Sequence, residues 1–390
     1  MKNLYILFLF SLFASSFAQA TADYAAIDSQ MALIPVNSSV NTTAIANYID
    51  SHFKNETDKV RASFYWTASS ISYDVANMFA IDFSTSTQEK IEGTLKSKKG
   101  VCIHYAEVFN DINSKMGIQS YVIDGYTKKE GKVGDLAHAW NAVQIDNKWY
   151  VFDPTWGSGY VNKGKFFKKL NNSYFKVDPV KMIVSHIPFD YLWQFLNYPV
   201  TNAEFYAGKT QINKVKKYFD FENEIAKYVS LSETDQLFEA AERIQKNGLK
   251  NGMIAERYQG KKEQLGNLRN NISIEKLNAI VSEMNEAVVL LNDFIYYRNN
   301  KFKPSFPDAE ISRMIQLPKE KLKKCLDDIY KVGSVVEENE AQVAAMKKNI
   351  SNAAAQAEEH LEFVESYLSK SKLVRKTMFS KSSWFGIPLN

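Results

Sequence analysis

The stretch "LAHAWNAVQIDNKWYVFDPTW", residues 136–156, constrains this fold more than any other. An apolar, alternating run beginning at His138 meets Asp146-Asn147, a pair with the chemistry of a tight hairpin turn, and then turns back. A two-residue loop there pairs Ile145 with Lys148. In that register Asp153 faces Trp140, and His138 lies diagonally across from Asp153 on the same face, where side chains meet. Other even-length loops keep them on one face. The sequence therefore predicts an antiparallel sheet that presents an imidazole beside a carboxylate.

Upstream, "KSKKGVCIHYAEVFNDI" runs from Lys96 to Ile112. Tyr105, Phe109, Ile112 and Met116 fall at helical spacing, Gly117 is a natural stop, and Gly100 permits a tight approach, so Cys102 belongs in the first turn of a buried helix. Unpaired N–H groups and the positive end of a helix dipole favour thiolate over thiol, and the thiolate is the nucleophile. A nucleophile needs a base. His138, oriented by Asp153, completes a Cys/His/Asp set in which the imidazole accepts the thiol proton and the carboxylate fixes its tautomer. The plainer alternatives are a satisfied core histidine, a turn carboxylate before Pro154, and an inert buried thiol.

Three stretches, "KGVCIHYAEVF", "GIQSYVIDGY" and "AHAWNAVQIDNKWYVFDPTWG", together resemble the core of the transglutaminase-like superfamily, a papain-like fold whose triad comes in the order Cys, His, Asp. The resemblance extends upstream through "TDKVRASFYWTASSISYDV" and downstream through "YFKVDPVKMIVSHIPFDYLWQFL", the latter like the kyphoscoliosis-peptidase-like branch, and covers roughly Thr43 to Pro199. It implies Cys102 as nucleophile, His138 as general base and Asp153 as its orienting partner. It also implies one helix packed on an antiparallel sheet. The sequence departs from the family pattern at His104, where C-x-G-Y has glycine: a tolerated surface variation, a narrower cleft and an auxiliary acid are the readings. For an oxyanion, the Cys102 N–H is a natural donor, with Trp66 ranked ahead of Tyr73 as a side-chain donor.

The mature chain exceeds the roughly 250–300 residues that one core supports, so two domains are expected. Residues 1–20, "MKNLYILFLFSLFASSFAQA", read as a cleavable signal peptide ending at Ala18-Gln19-Ala20, which predicts a secreted or periplasmic protein. Residues 21–42 form a lead segment. Residues 43–200 mix helices with short strands, an α+β texture; residues 201–390 read as an all-α bundle or helical hairpin. "SETD" at Ser232–Asp235 opens a helix that stops near Gly248. Leu277, Val281, Met284, Val288, Leu291 and Ile295 form a coiled-coil-like seam, and another helical pattern follows Pro318.

Two cysteines, Cys102 and Cys325, exclude a disulfide framework. A formal charge of +4, dispersed along the chain, argues for no nucleic-acid partner. The absence of HExxH, EF-hand, Walker and dinucleotide signatures implies neither metal nor cofactor. Trp140, Trp149 and Trp156 are read as packing the sheet and walling the cleft, His186 as packing, and His52 and His360 as solvated. The expected partner is a protein or peptide substrate, with self-association or partner binding left to the C-terminal helices. Amide or peptide hydrolysis through an acyl-enzyme is the reading favoured; cross-linking to a lysine amine and a non-catalytic binding module are the alternatives.

Overall fold

A computed structural model describes residues 24–79, 85–332 and 337–379, together with two short strands at Ser383–Trp384 and Ile387–Pro388. The leader expected over residues 1–20 lies outside the described residues. The chain divides into two units, Met1–Lys262 and Glu263–Asn390.

The first unit starts with helices α1 (Ala25–Ala32), α2 (Thr42–His52), α3 (Glu56–Ser70), α4 (Thr87–Ser97) and α5 (Cys102–Lys115). Side chains supply the orphan N–H groups at three of these helix starts: Asn41 accepts from Ala44, Asn55 from Asp58, and Ser86 and Glu89 form a reciprocal capping box. The lead segment is fastened by charge. Arg61, fully buried, clamps Asp28 with two hydrogen bonds of 2.7 and 2.5 Å and lies among the rings of Tyr24, Phe64 and Phe175. Two-residue strands β1 (Ser72–Tyr73) and β2 (Lys99–Gly100) pair in parallel and bring the end of α3 beside the start of α5.

Strands β3 (Ser120–Lys129), β4 (Lys132–Ile145) and β5 (Lys148–Phe152) are followed by α6 (Pro154–Ser158), the hairpin β6 (Gly159–Asn162) and β7 (Lys165–Lys168), and the edge strand β8 (His186–Pro188). The sheet order is β5-β4-β3-β8, antiparallel throughout. The turn has the expected register: Ile145 pairs with Lys148, and Asp146 and Asn147 both take positive φ, 50° and 59°. Gly125 on β3 is bare for a reason. A Cβ there would lie 2.5 Å from the Trp140 ring and 2.2 Å from the Ile187 carbonyl.

α5 is central because it buries two faces. Tyr105, Val108 and Ile112 pack with Ile45, Ile49, Ala62 and Trp66 of the helical layer, while Phe109 joins Phe64, Phe152 and Phe175 beneath the sheet. Burying each such ring contributes about 2–3 kcal/mol. Asn141 of β4 donates to the Ala106 carbonyl at 2.9 Å, fixing the height of the helix on the sheet.

Helices α7 (Asn202–Tyr206), α8 (Phe221–Ser230) and α9 (Glu233–Lys246) belong to the first unit, although the texture of the sequence changes at Pro199. Phe205, Ile244 and Ile254 pack with Tyr126, Ile187, Phe189 and Leu196. Arg243 of α9 holds buried Asp190 with hydrogen bonds of 2.7 and 2.8 Å. Ser232 caps α9 as expected, and Gly248 ends it at φ +94°.

Helix α10 (Gly252–Asn299) runs on into the second unit, which is mainly helical, with α11 (Asp308–Ile329) and α12 (Glu337–Leu368). The buried seam of α10 is Ile280, Ala287, Leu291 and Phe294, with Met284 half-buried beside it. Leu277, Met284, Leu291 and Ile295 of the expected stripe join these clusters, while Ala287 and Phe294 are buried where Val288 was expected to contribute. Pro318 does not precede the next helix but sits buried within α11, whose start is Asp308. His360 is also corrected: it is half-buried against Phe294 and Arg298, and burial with that guanidinium lowers its pKa to about 4. Cys325 is a free, buried thiol in this unit, raised in pKa chiefly by burial.

Candidate active site

Cys102 is the first residue of α5 and is 8% exposed, against Ala106 and Ala139. Burial works against its ionisation, yet the hydrogen bond and charge of His138, together with a backbone hydrogen bond from Ala139, hold the thiol below its ordinary value. His138, on β4, is pulled the other way. Burial opposes its charge, but Asp153 and Cys102 raise the imidazole to about 10. A thiol pushed down beside an imidazole pushed up shifts the balance toward a thiolate–imidazolium pair.

Asp153 follows β5 and caps α6, and it is fully buried. Its Oδ1 caps the helix, accepting from the N–H groups of Thr155 at 2.9 Å and Trp156 at 3.0 Å. Its Oδ2 accepts from His138 Nε2 at 2.8 Å, which leaves Nδ1 for the sulfur. Burial favours the neutral acid, but His138 and His186 outweigh it and keep the carboxyl below the usual carboxylate range.

His186 is the residue that sequence reasoning missed. Read there as packing, it is 1% exposed on β8, and its Nε2 lies 3.2 Å from the same Asp153 Oδ2. Ser185 Oγ stands 2.8 Å from its Nδ1. Nothing local in "SHIP" signals this. The pairing of His186 with Thr127 across the sheet edge is a long-range contact that spacing does not encode.

The other expected site residues separate. Trp66 is withdrawn from the oxyanion: it is 2% exposed in the helical layer with Ile45, Ile71 and Tyr105, with the Lys98 ammonium over its ring at 4.8 Å. Tyr73 does line the cleft, and burial, with the charges of Cys102 and Asp153, raises its hydroxyl to about 12, so it stays a donor. His104 caps its own helix: the Val101 N–H donates to its Nδ1 at 3.1 Å, and its Cβ would be 2.6 Å from any Cβ at Gly100. Burial, then Lys90, lowers its pKa and keeps it the neutral acceptor this bond requires. Trp140, 1% exposed, backs His138 and His186 from the core instead of lining the cleft. Trp156 does line it, its ring 5.5 Å from that of His138; Trp149 stacks on Tyr121 and Phe195.

The cleft beside His138 has a volume of about 660 Å³. One wall is the β6–β7 hairpin, with Tyr160, Val161 and Phe166; the others bring Lys129, Tyr174 and Tyr73. The hairpin is pinned by Lys168, whose ammonium donates to the carbonyls of Ser69 and Ile71 at 2.5 and 2.8 Å. Gly159 at its base has φ +155°, and a Cβ there would meet the Phe167 carbonyl at 2.1 Å.

Among the described residues, one group of potential metal ligands converges: His138, Asp153 and His186. The atoms that would face an ion, both Nε2 and Oδ2, are instead turned on each other at 2.8 and 3.2 Å, the spacing of hydrogen bonds. No helix among the described residues is long and apolar enough to cross a membrane.

Residues 43–154 match the transglutaminase-like superfamily. Kyphoscoliosis peptidase of Mus musculus is 30% identical over 187 residues, 46% of this chain and 28% of that protein. The Homo sapiens kyphoscoliosis peptidase is 33% identical over 156 residues, 38% of this chain and 23% of that protein. The chain thus spans 28% and 23% of the lengths of these two relatives. A solved TGase structure aligns over 42% of this chain and 43% of its own at 20% identity with a TM-score of 0.26, too slight a likeness to carry an inference.

Proposed function

We propose that this transglutaminase-like domain hydrolyses amide or peptide bonds through an acyl-enzyme on Cys102. The observation that carries the reading is His138, hydrogen-bonded at 2.8 Å to a buried carboxylate and near enough to the thiol at a helix start to lower its pKa. The thiolate attacks the carbonyl carbon and the oxyanion collects on the Cys102 N–H, with Tyr73 as the side-chain donor in reach of the cleft. The imidazolium gives its proton to the departing nitrogen, the C–N bond breaks, and a thioester remains. His138, now neutral, takes a proton from water as it attacks, and the thiol is regenerated.

The names of the two peptidase relatives support hydrolysis over transfer to an amine. The leader-like residues 1–20 support an exported protein, whose substrates would be proteins or peptides outside the cytoplasm. The test is mass spectrometry of products from a peptide library, run with and without a primary amine in excess. New amino and carboxyl ends that require Cys102 support hydrolysis. Amine adducts dominating even at low amine would assign cross-linking, and intact peptides throughout would assign a binding module.

A further inference from the structure

We propose that His186 is a positioning residue of the triad: by donating from Nε2 to the Asp153 oxygen that His138 also uses, it keeps that carboxylate ionised and the Cys102–His138 pair intact in acid. This rests on the functional reading above and extends it to a fourth side chain. The geometry assigns the tautomer. Asp153 Oδ2 only accepts, so the ring nitrogen 3.2 Å away must carry hydrogen. In the neutral ring Nδ1 is then the acceptor, and Ser185 Oγ, 2.8 Å away, is placed to donate to it. Burial, the largest influence on His186, lowers its pKa and favours that neutral ring.

The surroundings leave little else to do this work. His186 is enclosed by Trp156, Trp140 and Tyr174, with ring centroids at 4.7, 5.2 and 6.2 Å. Oδ1 of Asp153 is committed to the α6 N-terminus, so without His186 the buried Oδ2 keeps His138 as its one described donor. A carboxylate that loses a donor in such a place binds a proton more readily. Once Asp153 is protonated, His138 loses the charge that sustains it and the thiolate is lost. The other titratable groups nearby are Tyr73, Tyr105 and Tyr174, all raised by burial and neutral in acid, and the cleft lysines Lys129 and Lys169.

The test is the pH dependence of Cys102 alkylation by iodoacetamide in the full chain, with Cys325 as internal reference. His186→Leu should move the acid limb up by about one pH unit, the scale of one charge-assisted hydrogen bond, and His186→Gln, whose amide nitrogen overlays Nε2, should restore it. A merely structural role predicts lower thermal stability with an unmoved limb. Coincident limbs in wild type and His186→Leu, or an equal shift in His186→Gln, would overturn the proposal. If the leucine variant does not fold, Ser185→Ala should shift the limb in the same direction, and no shift overturns the assignment. A wild-type Cys102 that alkylates like an ordinary thiol would overturn the functional reading itself, and this proposal with it; that outcome is recognised in the unmutated protein.

Discussion

His138 and Asp153, fifteen residues apart in the chain, face each other at 2.8 Å across the edge of one hairpin, with the carboxylate fully buried and the imidazole side chain 10% exposed. The same carboxylate caps the next helix, so the turn that ends the strand also orients His138. Changing it separates the two duties. Asp153→Asn keeps an oxygen for the cap but offers His138 an amide donor, forcing the wrong tautomer. Amide hydrolysis should fall by about 10⁴-fold, as for the equivalent change in a serine triad, with stability nearly unchanged. Asp153→Ala should lose the cap as well, at a cost of about 1–2 kcal/mol or more. Urea melts beside kinetics distinguish the variants; equal stability losses would contradict the dual role.

Cys102→Ala removes the nucleophile from a site that is packed but not part of the large aromatic core. Cleavage should drop below detection, roughly 10³-fold or more, while stability stays within about 1 kcal/mol. Cleavage at the wild-type rate would remove the catalytic reading altogether.

The pH dependence of stability follows from the signs of two shifts. Asp153 is depressed, so its contribution is complete above the ordinary carboxylate pKa and is lost as pH falls below about 4 toward the folded value. His138 is raised to about 10, so its contribution is complete below the ordinary histidine value of about 6.5 and is lost as pH rises toward 10. Thermal melts should show an alkaline decline through pH 7–10 that shrinks in His138→Gln. A decline equally steep in that variant would place its origin elsewhere.

Tyr73 and Trp66 make opposite predictions. Tyr73→Phe removes a hydroxyl from the cleft, and if that hydroxyl meets the oxyanion, kcat should fall by about 10²-fold with little loss of stability. Trp66→Phe should leave kcat unchanged but open space between α3 and α5 in the helical layer, costing about 1–3 kcal/mol. Reversal of the two patterns would return the oxyanion to Trp66.

His104→Gly restores the family pattern and tests whether the departure matters. The imidazole serves the Val101 N–H, so its loss should destabilise α5 by about 1 kcal/mol, with glycine adding its own penalty, and should leave kcat/KM within a few-fold. A large gain in activity would show that His104 obstructs the cleft.

Legibility follows the range of the interactions. The Asp146-Asn147 turn, the alternation on either side of it and the helix starting at Cys102 are local, and they place Cys102, His138 and Asp153 on their elements before any packing is known. His186 was not legible as a site residue because β8 joins the sheet from far along the chain, and the burial of Trp66 in the helical layer was not legible because the face that α3 turns to α5 depends on both helices. Pro318 reads as a helix boundary, yet it lies inside α11, where a lost N–H and the ring's clash with the preceding turn, about 3 kcal/mol, stand against burial of Ile315, Leu322 and the proline itself.

The same reasoning bears on where the first unit ends. Composition changes at Pro199, but Asp190 is buried before that point and its partner Arg243 comes after it, joined by bonds of 2.7 and 2.8 Å. A chain stopped at residue 200 strands the carboxylate in an apolar setting and uncovers Tyr126, Ile187 and Leu196. Removing one member of such a pair costs about 3–5 kcal/mol, a large share of a domain's typical margin of about 5–15 kcal/mol. A protein ending at residue 262 should melt cooperatively and keep a reactive Cys102, whereas one ending at 200 should lose both. Arg243→Ala in the full chain should reproduce most of the destabilisation. A cooperative melt from the shorter protein would mean that the helices after Pro199 lean on the sheet without supporting it.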